Sequence, residues 1–250
     1  ATSNFAVTGD SLAPSANSFS LSDSALKKGD SATVTLVFSE AVASFSSSTD
    51  ITVANGTLTT MSSSDNITWV GNFTPTANTE DDYNTLALAT SYTDTAGNAG
   101  PSATTANYEV DTLVPTISSI TAGWGTYLNS TEDDSDGTVT VVTSDAENGQ
   151  TVTVILNGTN YTGTVSDNST SVTVIASGLQ DLTDGSSYTL TTNVSDAAGN
   201  VATENTGTSF TYDKTSPTLA ETTSVPAFTN DNSTQYTFSS SEGGTISIGG

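Results

Sequence analysis

The sequence predicts an all-β chain, a tandem of antiparallel β-sandwich domains arranged end to end. Three observations carry that prediction: a long repeat, a strand periodicity and an abundance of turn residues. An Asp followed four positions later by Pro recurs at Asp10/Pro14, Asp111/Pro115 and Asp213/Pro217, so the copies stand 101 and 102 residues apart. A second marker keeps the same register: Asp94-Thr95-Ala96-Gly97-Asn98 begins 17 residues before Asp111, and Asp196-Ala197-Ala198-Gly199-Asn200 begins 17 before Asp213. Between these markers short apolar/polar alternations are separated by Ser, Thr, Asn, Gly and Asp, the residues of exposed strands and turns.

A period near 100 residues without a helical pattern is the size of one Ig-type sandwich of about 100 residues. The register predicts the last strand of a preceding Ig-like repeat over 1–10, one Ig-like domain over 11–111, a second over 112–213, and the start of a third, incomplete one over 214–250. On that expectation the chain is a slice of a longer polypeptide, because Phe5-Ala6-Val7 precedes Asp10 as Tyr108-Glu109-Val110 precedes Asp111.

In the first repeat Val34, Leu36 and Phe38 share one face of the run 32–38, and Ile67, Trp69 and Phe73 share one face of 67–73 with Gly71 between them. Period-two alternation of this kind predicts half-buried strands. In the second repeat Val139, Val141 and Thr143 alternate with Thr138, Thr140 and Val142. The run 152–156 then meets Asn157-Gly158 before 161–165 returns. Asn-Gly between two such runs predicts a hairpin with a two-residue turn, and Asn55-Gly56 predicts the same turn in the first repeat. The segments 188–194 and 210–212 close the second sandwich. Helix is expected to be near zero.

Charge excludes several functions. Lys27, Lys28 and Lys214 are the only cationic residues against 27 acidic ones, there is no histidine, and the net charge is -24. Nucleic acid and anionic membranes both require a cationic footprint, so neither is an expected partner. No stretch of 18 apolar residues occurs, so direct membrane insertion of this segment is not expected. Cysteine is absent, so no disulfide staples the sandwiches. Without histidine or cysteine the common nucleophile–base pairs cannot be assembled, and no G-x-S-x-G elbow is present, so no enzyme is expected. Excess negative charge repels itself in a compact state, and bound cations relieve it.

The acidic groups near the repeat boundaries are the candidate metal ligands: Asp94, Asn98 and Asp111 in one repeat, Asp196, Asn200 and Asp213 in the next. Each Asp-x-Ala-Gly-Asn turn and the later linker Asp bracket the last strand, a position from which they could converge at one end of the sandwich. Calcium takes six to eight oxygen ligands, which Asp and Asn supply; the same residues also make tight turns without any ion, and both readings stand at this point. The run Glu132-Asp133-Asp134-Ser135-Asp136-Gly137 is similar to the start of an EF-hand loop, but Thr143 occupies the position of the closing Glu, so a solvated acidic loop is expected. Glu80-Asp81-Asp82 is a further acidic cluster. Trp69 and Trp124 are expected in the core; Trp124 and Tyr127, in a Gly-flanked run, are the one local hint of a sugar-stacking platform. Nine Asn-x-Ser/Thr sequons occur, little above chance in so Ser/Thr-rich a chain, with Asn157 the most accessible acceptor for a glycan.

The run from Ser22 to Val42, continued by Asn55-Gly56-Thr57-Leu58, Phe73-Thr74-Pro75-Thr76-Ala77 and Asp94-Thr95-Ala96-Gly97-Asn98, resembles the bacterial Ig-like domains of giant adhesins and biofilm-associated proteins. The second repeat, through Ser195–Asn200 and Tyr212–Thr218, resembles a sister class. The resemblance implies secretion, a rod-like stalk projecting from the surface of a bacterium or archaeon, and calcium at domain junctions. Neighbouring Ig-like domains of the same polypeptide are the implied partners, with other copies in a filament and glycans as further candidates. Related domains in surface-layer proteins imply an alternative, a segment of an acidic lattice. A carbohydrate-binding module through Trp124 and Tyr127 is the reading from a different class.

Overall fold

The computed structural model describes residues 9–224, 227–228, 230–233, 235–245 and 247. The strand expected at Phe5-Ala6-Val7 lies outside the described residues. In the first repeat the strands are β1 (Ala16–Leu21), β2 (Ala25–Lys27), β3 (Ala32–Phe38), β4 (Ile51–Val53), β5 (Gly56–Leu58), β6 (Thr68–Pro75), β7 (Glu80–Asn84), β8 (Leu86–Leu88), β9 (Ala103–Thr104) and β10 (Tyr108–Asp111), with one helical turn, α1 (Ser47–Asp50), before β4. They form sheets of order β1-β3-β6-β5, β2-β10-β7 and β4-β8-β9. All pairs are antiparallel except β2 with β10, which run parallel.

The second repeat contains β11 (Thr116–Ala122), β12 (Tyr127–Leu128), β13 (Gly137–Ser144), β14 (Thr151–Leu156), β15 (Thr159–Thr164), β16 (Ser169–Val174), α2 (Ala176–Gln180), β17 (Ser187–Tyr188), β18 (Thr191–Val194), β19 (Asn205–Thr206) and β20 (Phe210–Tyr212). Its sheets are β11-β13-β16, β12-β20-β17 and β15-β14-β18-β19. The parallel contact recurs between β12 and β20. Beyond it β21 (Leu219–Thr223) and β22 (Thr237–Ser240) form a two-stranded sheet. Among the described residues the helical content is two short turns of 4 and 5 residues.

Alternation places the cores where the sequence predicts them. In β3 Ala32, Val34, Leu36 and Phe38 are buried while their neighbours face outward. In β13 Val139, Val141 and Thr143 do the same, as do Val152, Val154 and Leu156 in β14. Each repeat has its own apolar cluster, one running from Phe19 to Val110 and one from Ile117 to Tyr212, with no residue in common. The run expected at 188–194 is broken at Thr189–Leu190 into β17 and β18, which pair in different sheets.

The two Asn-Gly pairs behave differently. Leu156 pairs directly with Thr159, and Asn157 (φ 49°) and Gly158 (φ 78°) both take left-handed conformations, the requirement of a two-residue primed turn. At Asn55 (φ 47°) only the first residue is left-handed, and no hairpin forms: β4 pairs with β8 while β5 crosses to pair with β6. Tertiary bonds hold this crossing, because Asn55 Nδ2 donates to Asp81 Oδ2 at 2.8 Å and to Asn84 Oδ1 at 2.7 Å. Gly56 is required there for space, since a Cβ would lie 2.2 Å from the Phe73 ring. The expected first-repeat hairpin is therefore corrected to a strand that changes sheets.

Candidate functional site

The three linkers begin identically. Asp10 Oδ1 accepts from Leu12 N, Asp111 Oδ1 from Leu113 N and Asp213 Oδ1 from Thr215 N, at 3.0, 3.1 and 3.1 Å. Each is an Asx-type turn that aims the chain into the next repeat. Thr112, 2 % exposed, ties the middle linker to the first repeat, with its Oγ1 donating to Thr76 O at 2.7 Å and accepting from Thr79 N at 3.0 Å.

The turn at 94–98 is built around one carboxylate. Asp94 Oδ1 accepts from the backbone N–H groups of Ala96, Gly97 and Asn98 at 2.8, 2.7 and 2.9 Å, and its Oδ2 accepts from Asn98 Nδ2 at 2.7 Å. The Asn98 amide, then the backbone donors, hold the Asp94 carboxyl below its ordinary range. Gly97 carries the positive φ of 96° that closes the turn. Asp196 and Asn200 repeat the device: Oδ1 accepts from Asn200 N at 2.7 Å and Oδ2 from Asn200 Nδ2 at 2.8 Å.

Asp94 lies with Asp10 and Glu40, one carboxylate oxygen from each lying within 4.8 Å of the other two. Glu40 Oε1 is enclosed and has no hydrogen-bond partner among the described residues. Burial, then the charges of Asp10 and Asp94, push the Glu40 carboxyl above its usual value. Three carboxylates with one unsatisfied oxygen are a donor set suited to a hard cation such as calcium. Asp94 Oδ2 has capacity for a further partner beyond the Asn98 amide.

One repeat later the turn again meets the preceding linker Asp, but among the described residues no three carboxylates there come within 4.8 Å of one another. Asp111 accepts from Asn200 Nδ2 at its backbone oxygen at 3.0 Å, with Oδ1 3.5 Å away. Burial, then Asp196, with Glu80 and Glu147 behind it, push the Asp111 carboxyl up. Glu147 Oε2 accepts from Ala197 N at 2.8 Å, which fixes it beside the turn. A recess of about 260 Å³ at this joint is lined by Glu80, Asp111, Asp145 and Glu147 among others.

The sequence expectation paired each turn with the linker that follows it. The structure pairs it with the linker that precedes it: Asp94 with Asp10, and Asp196 and Asn200 with Asp111. The physical reason is the last strand. Asp94 bridges to Val42, just past β3, whereas β10 carries the chain away and ends with Asp111 beside Lys27 and Glu80. Asp213 belongs with neither turn; its amide donates to Leu128 O at 2.9 Å at the far end of the second repeat. Glu40 and Glu147 escaped the sequence reading. Their signal was an acidic residue a few positions past each repeat's long central strand, β3 and β13.

Trp124 lies in the core, the place expected for it: it is 8 % exposed and packs edge-on against Phe210 with centroids 5.3 Å apart, while Tyr127 is 65 % exposed, so the two rings do not share a stacking surface. One other expectation is corrected. The acidic loop at 132–137 is only partly solvated. Asp133 is 5 % exposed, its Oδ2 accepts from Tyr212 Oη at 2.5 Å, and Asp136 Oδ1 accepts from Ala176 N at 2.9 Å.

Residues 10–110 match the family model described as bacterial Ig-like domain. A bacterial immunoglobulin-like domain of the M. primoryensis ice-binding adhesin is 32% identical over 40% of this chain and 95% of its own, with a TM-score of 0.29. A structure from a 1.5-MDa bacterial ice-binding adhesin is 26% identical over 81% of this chain and 65% of its own, at 0.44. A Ca2+-stabilized adhesin that helps an Antarctic bacterium reach out and bind ice is 23% identical over 86% of this chain and 52% of its own, at 0.41. The chain thus spans less than two thirds of the length of the last two. No curated protein matches it. The family of bacterial Ig-like adhesin repeats is structural and non-enzymatic. By the match over residues 10–110 and the identity to the adhesin domain, the chain belongs to the bacterial Ig-like domain family.

Proposed function

We propose that this chain is a stretch of the extending stalk of a large secreted cell-surface adhesin, with units at 11–111 and 112–213 and calcium bound where the linker Asp enters a unit, Asp10 at the first and Asp111 at the second. The observation that carries the calcium reading is the meeting of Asp10, Glu40 and Asp94 within 4.8 Å, with an enclosed Glu40 oxygen left without a partner. Gathering these charges without a cation costs stability, and a cation that binds only the folded joint returns it by mass action. Asp94 and Asn98 at the first joint, and Asp111, Asp196 and Asn200 at the second, serve both as turn formers and as the frame of the site. Asp213 starts the corresponding joint toward 214–250. The name of the Ca2+-stabilized adhesin supports the same ion. Nothing in the geometry favours a surface-layer lattice or a carbohydrate-binding module.

The test is thermal unfolding and small-angle scattering of the whole chain with calcium and with chelator, on wild type, Asp10→Ala and Asp111→Ala. Calcium raises the melting temperature and lengthens the wild-type particle, and each substitution removes part of that response. Identical curves in all conditions would reduce these residues to turn formers.

A further inference from the structure

The turn of the second repeat does more than close its own sandwich. Asn200 is 4 % exposed because the first repeat covers it. Its Oδ1 accepts from the backbone N–H of Lys28 at 2.8 Å, across 172 residues of sequence. Its Nδ2 donates to Asp111 O at 3.0 Å and to Asp196 Oδ2 at 2.8 Å. One carboxamide therefore joins three parts: the turn between β2 and β3 of the first repeat, the linker, and the turn of the second repeat. The neighbouring Gly199 sits against the same Lys27–Lys28 corner, where a Cβ would meet Lys27 Nζ at 3.3 Å.

Asn98 makes the corresponding inward bonds. Its Nδ2 donates to Asp10 O and Leu12 O, each at 3.2 Å, and to Asp94 Oδ2 at 2.7 Å. Its Oδ1, the atom equivalent to the Lys28 acceptor, has no partner among the described residues, and nothing described lies within 4 Å of a Cβ at Gly97. The turn, the linker Asp and the amide orientation are already set, and what the first joint lacks among the described residues is the outer donor to the amide oxygen.

We infer that the N-terminal end of the first repeat is a preformed socket for the turn between the second and third strands of another Ig-like repeat, with Asn98 Oδ1 receiving that turn's backbone N–H. The occupant follows from the filled joint, where a repeat of this chain seats that turn on the same constellation. The inference rests on the tandem reading but not on calcium, since every bond in the clasp is made by protein atoms. A neutral carboxamide suits the position. It donates to the linker carbonyl and accepts from the incoming turn at once, which a carboxylate cannot do.

The experiment uses amide hydrogen exchange in chelator, which reports local opening at single sites. In the 250-residue chain, Asn200→Ala speeds exchange of the Lys28 amide by at least about tenfold. A lengthened chain, residues 10–110 followed directly by 10–250 and 15N-labelled only in the added copy, tests the open socket. There the added copy's Lys28 amide is protected, Asn98→Ala abolishes the protection, and Asn98→Asp, which keeps an acceptor oxygen, retains part of it. Free-peptide exchange of that amide in the lengthened chain overturns the inference without reference to any variant, and so does protection that survives Asn98→Ala. Loss of the calcium response with an intact clasp would instead sink only the calcium reading.

Discussion

Leu36→Ala tests whether the two repeats are separate folding units. Leu36 is fully buried in β3, opposite Phe19 on one side and Trp69 on the other, within a cluster that shares no residue with the second repeat. Truncating such a leucine costs about 3 kcal/mol, within the roughly 2–5 kcal/mol spanned by cavity-forming substitutions. For a unit of about 100 residues each kcal/mol moves the melting point by about 4–8 °C, so the first repeat should melt roughly 12–24 °C lower. The assay is differential scanning calorimetry of the whole chain in chelator, where ionic coupling at the joint is absent. One transition moves down by that amount while the other, belonging to the cluster from Ile117 to Tyr212, stays in place. A single transition that shifts as a whole would show that the repeats unfold together, and the proposed boundary at 111/112 would fail.

Glu40→Gln removes one charge from the first acidic group without touching the hydrogen bonds of the 94–98 turn. It should raise the first repeat's melting temperature in chelator and lower it in calcium, and a change of the same sign in both would refute the cation reading. The pH response follows from the shifted carboxyls. Asp111 and Glu40 are pushed up, so their folded forms hold protons more tightly than the unfolded chain, and stability in chelator rises as pH falls from neutral through their raised values toward the ordinary carboxylate value of about 4. Asp94 is held down, so its contribution is present above about 4 and is lost as pH falls through its folded value. Melting temperatures across pH 3–7 should therefore pass through a maximum in chelator, and a monotonic fall from pH 7 would contradict the assignment. Tyr212→Phe leaves the buried Asp133 carboxylate without its hydroxyl donor and should cost the second repeat about 1–3 kcal/mol, read by denaturant unfolding; an unchanged midpoint would show that water replaces the hydroxyl.

The sequence by itself determined the period, the all-β class and most core positions, because those depend on local rules. An Asp that turns the chain before a proline, and valines at every second position, mean the same thing wherever they occur. Val139, Val141, Val152 and Val154 could be placed inside from alternation alone, and Asn157-Gly158 could be read as a hairpin because nothing outside it interferes. Only the tertiary structure decided what Asn55-Gly56 does, since Asp81 and Asn84 hold the Asn55 amide and the Phe73 ring occupies the space beside Gly56. Only the tertiary structure showed that each turn meets the linker before it. Glu40 and Glu147 entered the site for the same reason. Side chains distant in sequence converge according to which end of the sandwich each strand reaches, and strand direction across a folded sheet is not encoded in the spacing of motifs along the chain.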